Sequence, residues 1–86
     1  MHTVGMLEQA LHVIKGSGYL VRQEWLGGSG GGGCQLRGRK VFFLDLALSP
    51  GEQLDQVLET LRSDPDMASM PLPRELGELL RQSRTA

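Results

Sequence analysis

Cys34 is the residue of this chain best suited to bond-making chemistry. It follows glycines at 27, 28 and 30–33, interrupted by Ser29, and precedes Arg37, Arg39 and Lys40. Glycine amides and nearby positive charge would favour its nucleophilic thiolate, for catalysis, redox sensing or a disulfide link between copies. Such a nucleophile needs a base, and His12 is the only mid-chain histidine. The competing expectation for Cys34 is a small buried residue at a strand start, since free cysteine is among the most buried residue types. No acid, base and nucleophile converge in the sequence, so the reading leans against an enzyme.

Metal chemistry has less support. Cys34, His2 and His12 show none of the paired spacings of structural zinc sites, and no metal or cofactor is expected. The restriction-endonuclease-like core would need a strand carboxylate followed by an acid-x-lysine pair. Asp45 stands on a suitable strand, but position 47 is alanine and Glu24 is the only other strand carboxylate. Asp45 is instead expected to be structural, paired with Arg22 or Arg39 if its face is buried.

The glycine run admits a binding reading. Unpaired amides of Gly30, Gly31, Gly32 and Gly33, beside Arg37, Arg39 and Lys40, could form a nest for a phosphate or another anion. The string formally matches G-x-G-x-x-G, yet a dinucleotide site needs a helix after the glycines, and the following residues are strand-like. A P-loop fails because Arg39-Lys40 stands where Lys-Ser/Thr is required. The preferred reading is a hairpin connection or a close backbone approach. The basic turn could also touch nucleic acid, although the interleaved exposed aromatics of single-strand binders are missing.

Nine Lys and Arg against ten Asp and Glu give a formal charge of −1, which opposes whole-surface attraction to nucleic acid or anionic membranes. The charge is uneven. Lys15 to Lys40 carries Lys15, Arg22, Arg37, Arg39 and Lys40 against Glu24 alone, and the acids concentrate after Val41. No apolar run approaches the roughly 18 residues of a membrane span, and the N-terminus lacks a signal-peptide core. A soluble, cytoplasmic protein is expected.

The elements that must position these residues follow from periodicity. Val4, Leu7, Leu11 and Ile14, widened by Met6, Ala10 and Val13, predict a helix with Thr3 as N-cap and a stop at Gly16-Ser17-Gly18. Residues 19–26 predict a strand, as do 34–37 and 40–48, the last two joined by a tight turn at Gly38. The last strand is apolar on both faces and so looks central. Ser49-Pro50-Gly51-Glu52 spells a capping box with proline at the first helical position, opening a helix over about 50–62. A connector with prolines at 71 and 73 leads to a short helix over about 73–82.

The expected architecture is therefore α+β in the order α-β-β-β-α-α: a three-stranded antiparallel meander with helices packed on one face. Residues 1–82 would form one small domain and 83–86 a disordered tail. A chain of 86 residues buries only about 60–65% of its unfolded surface and has no disulfide to support it, so a homodimer is expected. Tyr19, Val21, Trp25, Val41 and Phe43 are the interface candidates, on the sheet face the helices leave open. The functional expectation is a non-catalytic binding module whose partner is itself, or another protein. Anion or nucleic-acid binding is the alternative, and thiol chemistry at Cys34 the third.

Overall fold

A computed structural model describes residues 3–28 and 31–82. The capping box forms as its spelling requires: the Ser49 hydroxyl accepts from Glu52 N–H at 3.3 Å, and Ser49 N–H donates to Glu52 Oε1 at 3.0 Å. It opens α2 (Pro50–Ser63), whose i, i+3, i+4, i+7 stripe buries Leu54, Val57, Leu58 and Leu61. α1 (Thr3–Gly16) buries Met6, Leu7, Ala10, Val13 and Ile14, leaving Val4 exposed. Thr3, expected as the cap, is already helical. Gly18 ends the element with φ 95°, and Tyr19 N–H donates back to Ile14 O. α3 (Arg74–Arg81) turns Leu76, Gly77 and Leu80 inward. Its last carbonyls are taken by Arg62, which donates to Leu80 O and Leu79 O at 3.2 Å each. That satisfies groups a helix end leaves unpaired.

The strands are β1 (Leu20–Glu24), β2 (Gly32–Leu36) and β3 (Arg39–Asp45). The class is α+β with three helices and a three-stranded sheet, but the sheet is not an antiparallel meander. Its order is β1-β3-β2: β1 runs parallel to β3, and β2 pairs antiparallel with the opposite edge of β3. The physical reason is burial. β3 carries apolar residues on both faces and takes the centre, with Val41, Phe42 and Leu44 buried. A meander would have placed β2, with its glycines and exposed Leu36, in that position. The chain leaving β1 therefore crosses the end of β3 before returning as β2.

Alternation sets the two faces. Phe42 and Leu44, with Val21 and Tyr19 beside them, join the core formed by α1, α2 and α3. The opposite face carries Val41 and Phe43, flanked in register by Leu20 and Arg22 from β1 and by Cys34 and Gly32 from β2. Among the described residues the helices share their core with Phe42 and Leu44 and not with Val41 or Phe43, which leaves this second face free of helices. The predicted strand over 40–48 ends at Asp45, because residues 46–48 turn around its carboxylate. β2 begins two residues earlier than predicted, so Gly32 and Gly33 are strand rather than loop. The tail 83–86 lies outside the described residues.

Candidate functional site

Asp45 is fully buried, and its partners are main-chain amides instead of the expected Arg22 or Arg39. Leu26 N–H and Ala47 N–H donate to Oδ1 at 3.0 and 2.9 Å, and Gly28 N–H donates to Oδ2 at 2.6 Å. Burial pushes the carboxyl up, but the amides of Ala47, Leu26 and Gly28 outweigh it and leave it below the usual carboxylate range. Gly27 and Gly28 sit at φ 68° and 83°, which lets the chain bend across the end of β3 toward this carboxylate. The first glycines of the run thus build the crossover. Arg22 pairs with Glu24 at 3.2 Å, while Arg39 is exposed.

The later glycines serve a different contact. A Cβ on Gly33 would stand 2.5 Å from Thr60 Cγ2, and one on Gly31 would collide with the Gln56 amide. Gln56 and Thr60 are i, i+4 on α2, and Gly31, just before β2, and Gly33 within it are i, i+2, so the pairs stack in step. Gly33 N–H donates to Thr60 Oγ1 at 3.2 Å. Close approach of helix to strand is what these positions provide.

Between β2 and the C-terminal half of α2 lies an open groove of about 600 Å³, lined by Gly31, Gly32, Gly33, Cys34, Lys40 and the acids Glu59, Asp64 and Asp66. At its end Tyr19 Oη donates to Asp64 Oδ2 at 2.6 Å, and Lys40 Nζ donates to the same oxygen at 3.1 Å. Lys40 also stands 5.1 Å from the Tyr19 ring centroid and 3.8 Å from Asp66. Burial, aided by the hydrogen bond to Asp64 and the charges of Asp64 and Asp66, pushes the Tyr19 hydroxyl up to about 12. The hydrogen bond from Tyr19 holds Asp64 low against the cost of burial, helped by Asp66 N–H and Lys40. At neutral pH the tyrosine stays protonated and the aspartate ionised. Neither is poised to exchange a proton, so the cluster is a static tie between β3 and the end of α2.

Of the expected anion site, the fold brings Gly31, Gly32, Gly33 and Lys40 to this groove. Gly30 lies outside the described residues, and Arg37 on the hairpin turn and Arg39 at the start of β3 stand exposed. In the groove Lys40 is held by two carboxylates, Gly33 N–H is occupied, and Glu59 lines the same space. Cys34 is exposed at the groove on the edge strand, whereas His12 is an exposed residue of α1, which does not touch β2. The proposed thiol and base are not brought together. Among the described residues no three His, Cys, Asp or Glu side chains converge on a metal position, and no helix is long and apolar enough to cross a membrane.

The interface candidates divide. Tyr19 and Val21 pack toward the core, Val41 and Phe43 lie on the helix-free face, and Trp25 is 75% exposed just past β1. Leu20 and Leu36, 47% and 52% exposed, extend the helix-free face and were not foreseen. Asp64 was not among the expected site residues. Its signal was electrostatic, since an acid at a helix C-terminus opposes the dipole and calls for a cationic or donor partner. Comparison with known protein families, curated proteins and solved structures finds no match to this chain.

Proposed function

We propose that this protein is a non-catalytic interaction module that works as a homodimer through its sheet. The observation that carries the reading is the helix-free side, where Leu20 and Leu36 are exposed around the apolar Val41 and Phe43 and Trp25 projects beyond the strand. Apolar surface concentrated on one side of a small chain favours a protein partner. The closed Tyr19–Asp64–Lys40 cluster supports a non-catalytic role, because its donors and acceptors already satisfy one another. Native mass spectrometry, with and without reductant, tests the reading. A dimer insensitive to reductant is the expected result, and a monomer at micromolar concentration would overturn it.

A second reading is favoured by one backbone feature. Arg37 is the non-glycine residue with positive φ among those described, at 54°, and with Gly38 at 79° it forms the two-residue turn between β2 and β3. Asparagine would suit that position better, so an arginine held there at a conformational cost points to use of its charge, for a nucleic-acid or phosphate backbone. Arg37→Asn should then stabilise the fold by up to about 1 kcal/mol while abolishing salt-dependent retention on heparin. If the wild-type protein passes through heparin unretained at low salt, this second reading fails.

A further inference from the structure

The two edges of the sheet differ in how they are guarded. Beside β2, α2 takes an edge amide through Thr60, and the strand is short and glycine-rich. Among the described residues no other element hydrogen-bonds to the outer edge of β1, and the connection to β2 bends over the end of β3 at Leu26 and Gly28. Leu46 N–H donates to Glu24 O at 2.8 Å, so the main chain of Glu24 faces β3. Alternation then turns the amides and carbonyls of Val21 and Gln23 outward. An edge presenting such groups is a template for another strand.

We infer that two copies of this chain pair through β1, antiparallel, about a two-fold axis at Gln23, to give one continuous six-stranded sheet. This rests on the homodimer reading and deepens it by naming the surface. A two-fold axis makes the contact isologous and the strands antiparallel. Charge complementarity selects the register. With Gln23 opposite its own copy, Arg22 stands opposite the second copy's Glu24 on both sides of the axis, extending the Arg22–Glu24 pair already present within each chain. The same register sets Trp25, exposed in the single chain, opposite Val21, and Leu20 opposite Leu26. Centring one residue earlier would place Arg22 against Arg22, and like charges directly opposed destabilise a sheet pair. All the outward main-chain groups of Val21 and Gln23 find partners in the Gln23-centred arrangement.

Two experiments on the full chain test this pairing. In a Cys34→Ser background, Gln23→Cys should form a cross-linked dimer under mild oxidation, since hydrogen-bonded antiparallel partners hold their Cα atoms about 5.5 Å apart, within disulfide reach. Arg22→Cys should cross-link far more slowly. In sedimentation equilibrium Glu24→Arg should weaken the dimer roughly tenfold, because it sets two like-charge pairs directly opposite each other. The exchange Arg22→Glu with Glu24→Arg should restore it. Rescue by the double exchange also shows that the single variant's loss is not misfolding. A wild-type monomer overturns the homodimer reading and this pairing with it. A dimer indifferent to Glu24→Arg, lacking the Gln23 cross-link and weakened by Leu36→Lys, leaves the dimer standing and overturns the pairing.

Discussion

At the scale of single residues, two buried aspartates hold the fold at opposite ends of β3, and both are held as anions. Asp45 is solvated by three amides and Asp64 by a hydroxyl, an amide and an ammonium group. A depressed carboxyl contributes stability above its unfolded value, near 3.9, and loses that contribution as pH falls through the lower folded value. Asp45→Asn should therefore lower the melting temperature at pH 7, and the gap from wild type should narrow as the pH drops below about 4. Melts followed by circular dichroism across pH 2–7 read this directly; a constant gap would show that the amide bonds do not depend on the charge. Tyr19 works in the opposite sense. Its raised value favours the protonated form in the folded state, so its contribution is full below about 10 and is lost as pH climbs toward about 12. Tyr19→Phe should lower stability at pH 7 and flatten the loss between these limits. The sequence displayed Asp45 as a buried acid in need of a partner, but drew attention to arginines, because amides offered by a glycine turn have no signature of residue type. Asp64 was hidden for a related reason: its partners Tyr19 and Lys40 are 45 and 24 positions away.

At the scale of elements, local signals are legible in the sequence and the order of the strands is less so. The capping box, the apolar stripes of α1 and α2 and the glycine stop are set by neighbours within a turn or two, so their residues declare them. The order of strands depends on which one can bear burial on both faces. That information was present in residues 41–44, apolar on either side, and it conflicts with a meander that puts β2 in the middle. The glycine run likewise has two structural functions that composition blends into one. Gly27 and Gly28 make the crossover, whereas Gly31 and Gly33 admit α2. The two latter positions should respond differently to alanine. At Gly31 the added methyl meets the end of a flexible glutamine, which can swing away. At Gly33 it meets Thr60, whose branched side chain is fixed by bonds to Gly33 N–H and Gln56 O. Gly33→Ala should cost about 1–3 kcal/mol, the usual range for overpacking, and Gly31→Ala distinctly less. Urea denaturation of both variants decides it, and equal losses would mean that Thr60 yields as readily as Gln56.

At the scale of the whole molecule, one face of a three-stranded sheet cannot be covered by helices that are already engaged on the other. α1 and α2 pack against each other and against the Phe42 side, and α3 leans on both of them. Among the described residues, what remains is a helix-free face with Leu20 and Leu36 exposed and the outer edge of β1, and a second copy can protect the edge while lengthening the sheet. If folding and association are coupled in this way, stability must depend on concentration, since mass action favours the dimer over unfolded chains. A tenfold rise in concentration adds about 1.4 kcal/mol per dimer, which for two chains of this size corresponds to roughly 3–6 °C in melting temperature. Scanning calorimetry from 5 to 500 μM, concentrations chosen to bracket about a hundredfold change, should show the midpoint climbing steadily. The Glu24→Arg variant should climb in parallel with wild type, needing roughly tenfold more protein to reach the same midpoint, because mass action offsets weakened association. A midpoint independent of concentration for both proteins would mean that each chain folds alone, and the β1 edge would then have to be guarded by its own charges, Arg22 and Glu24.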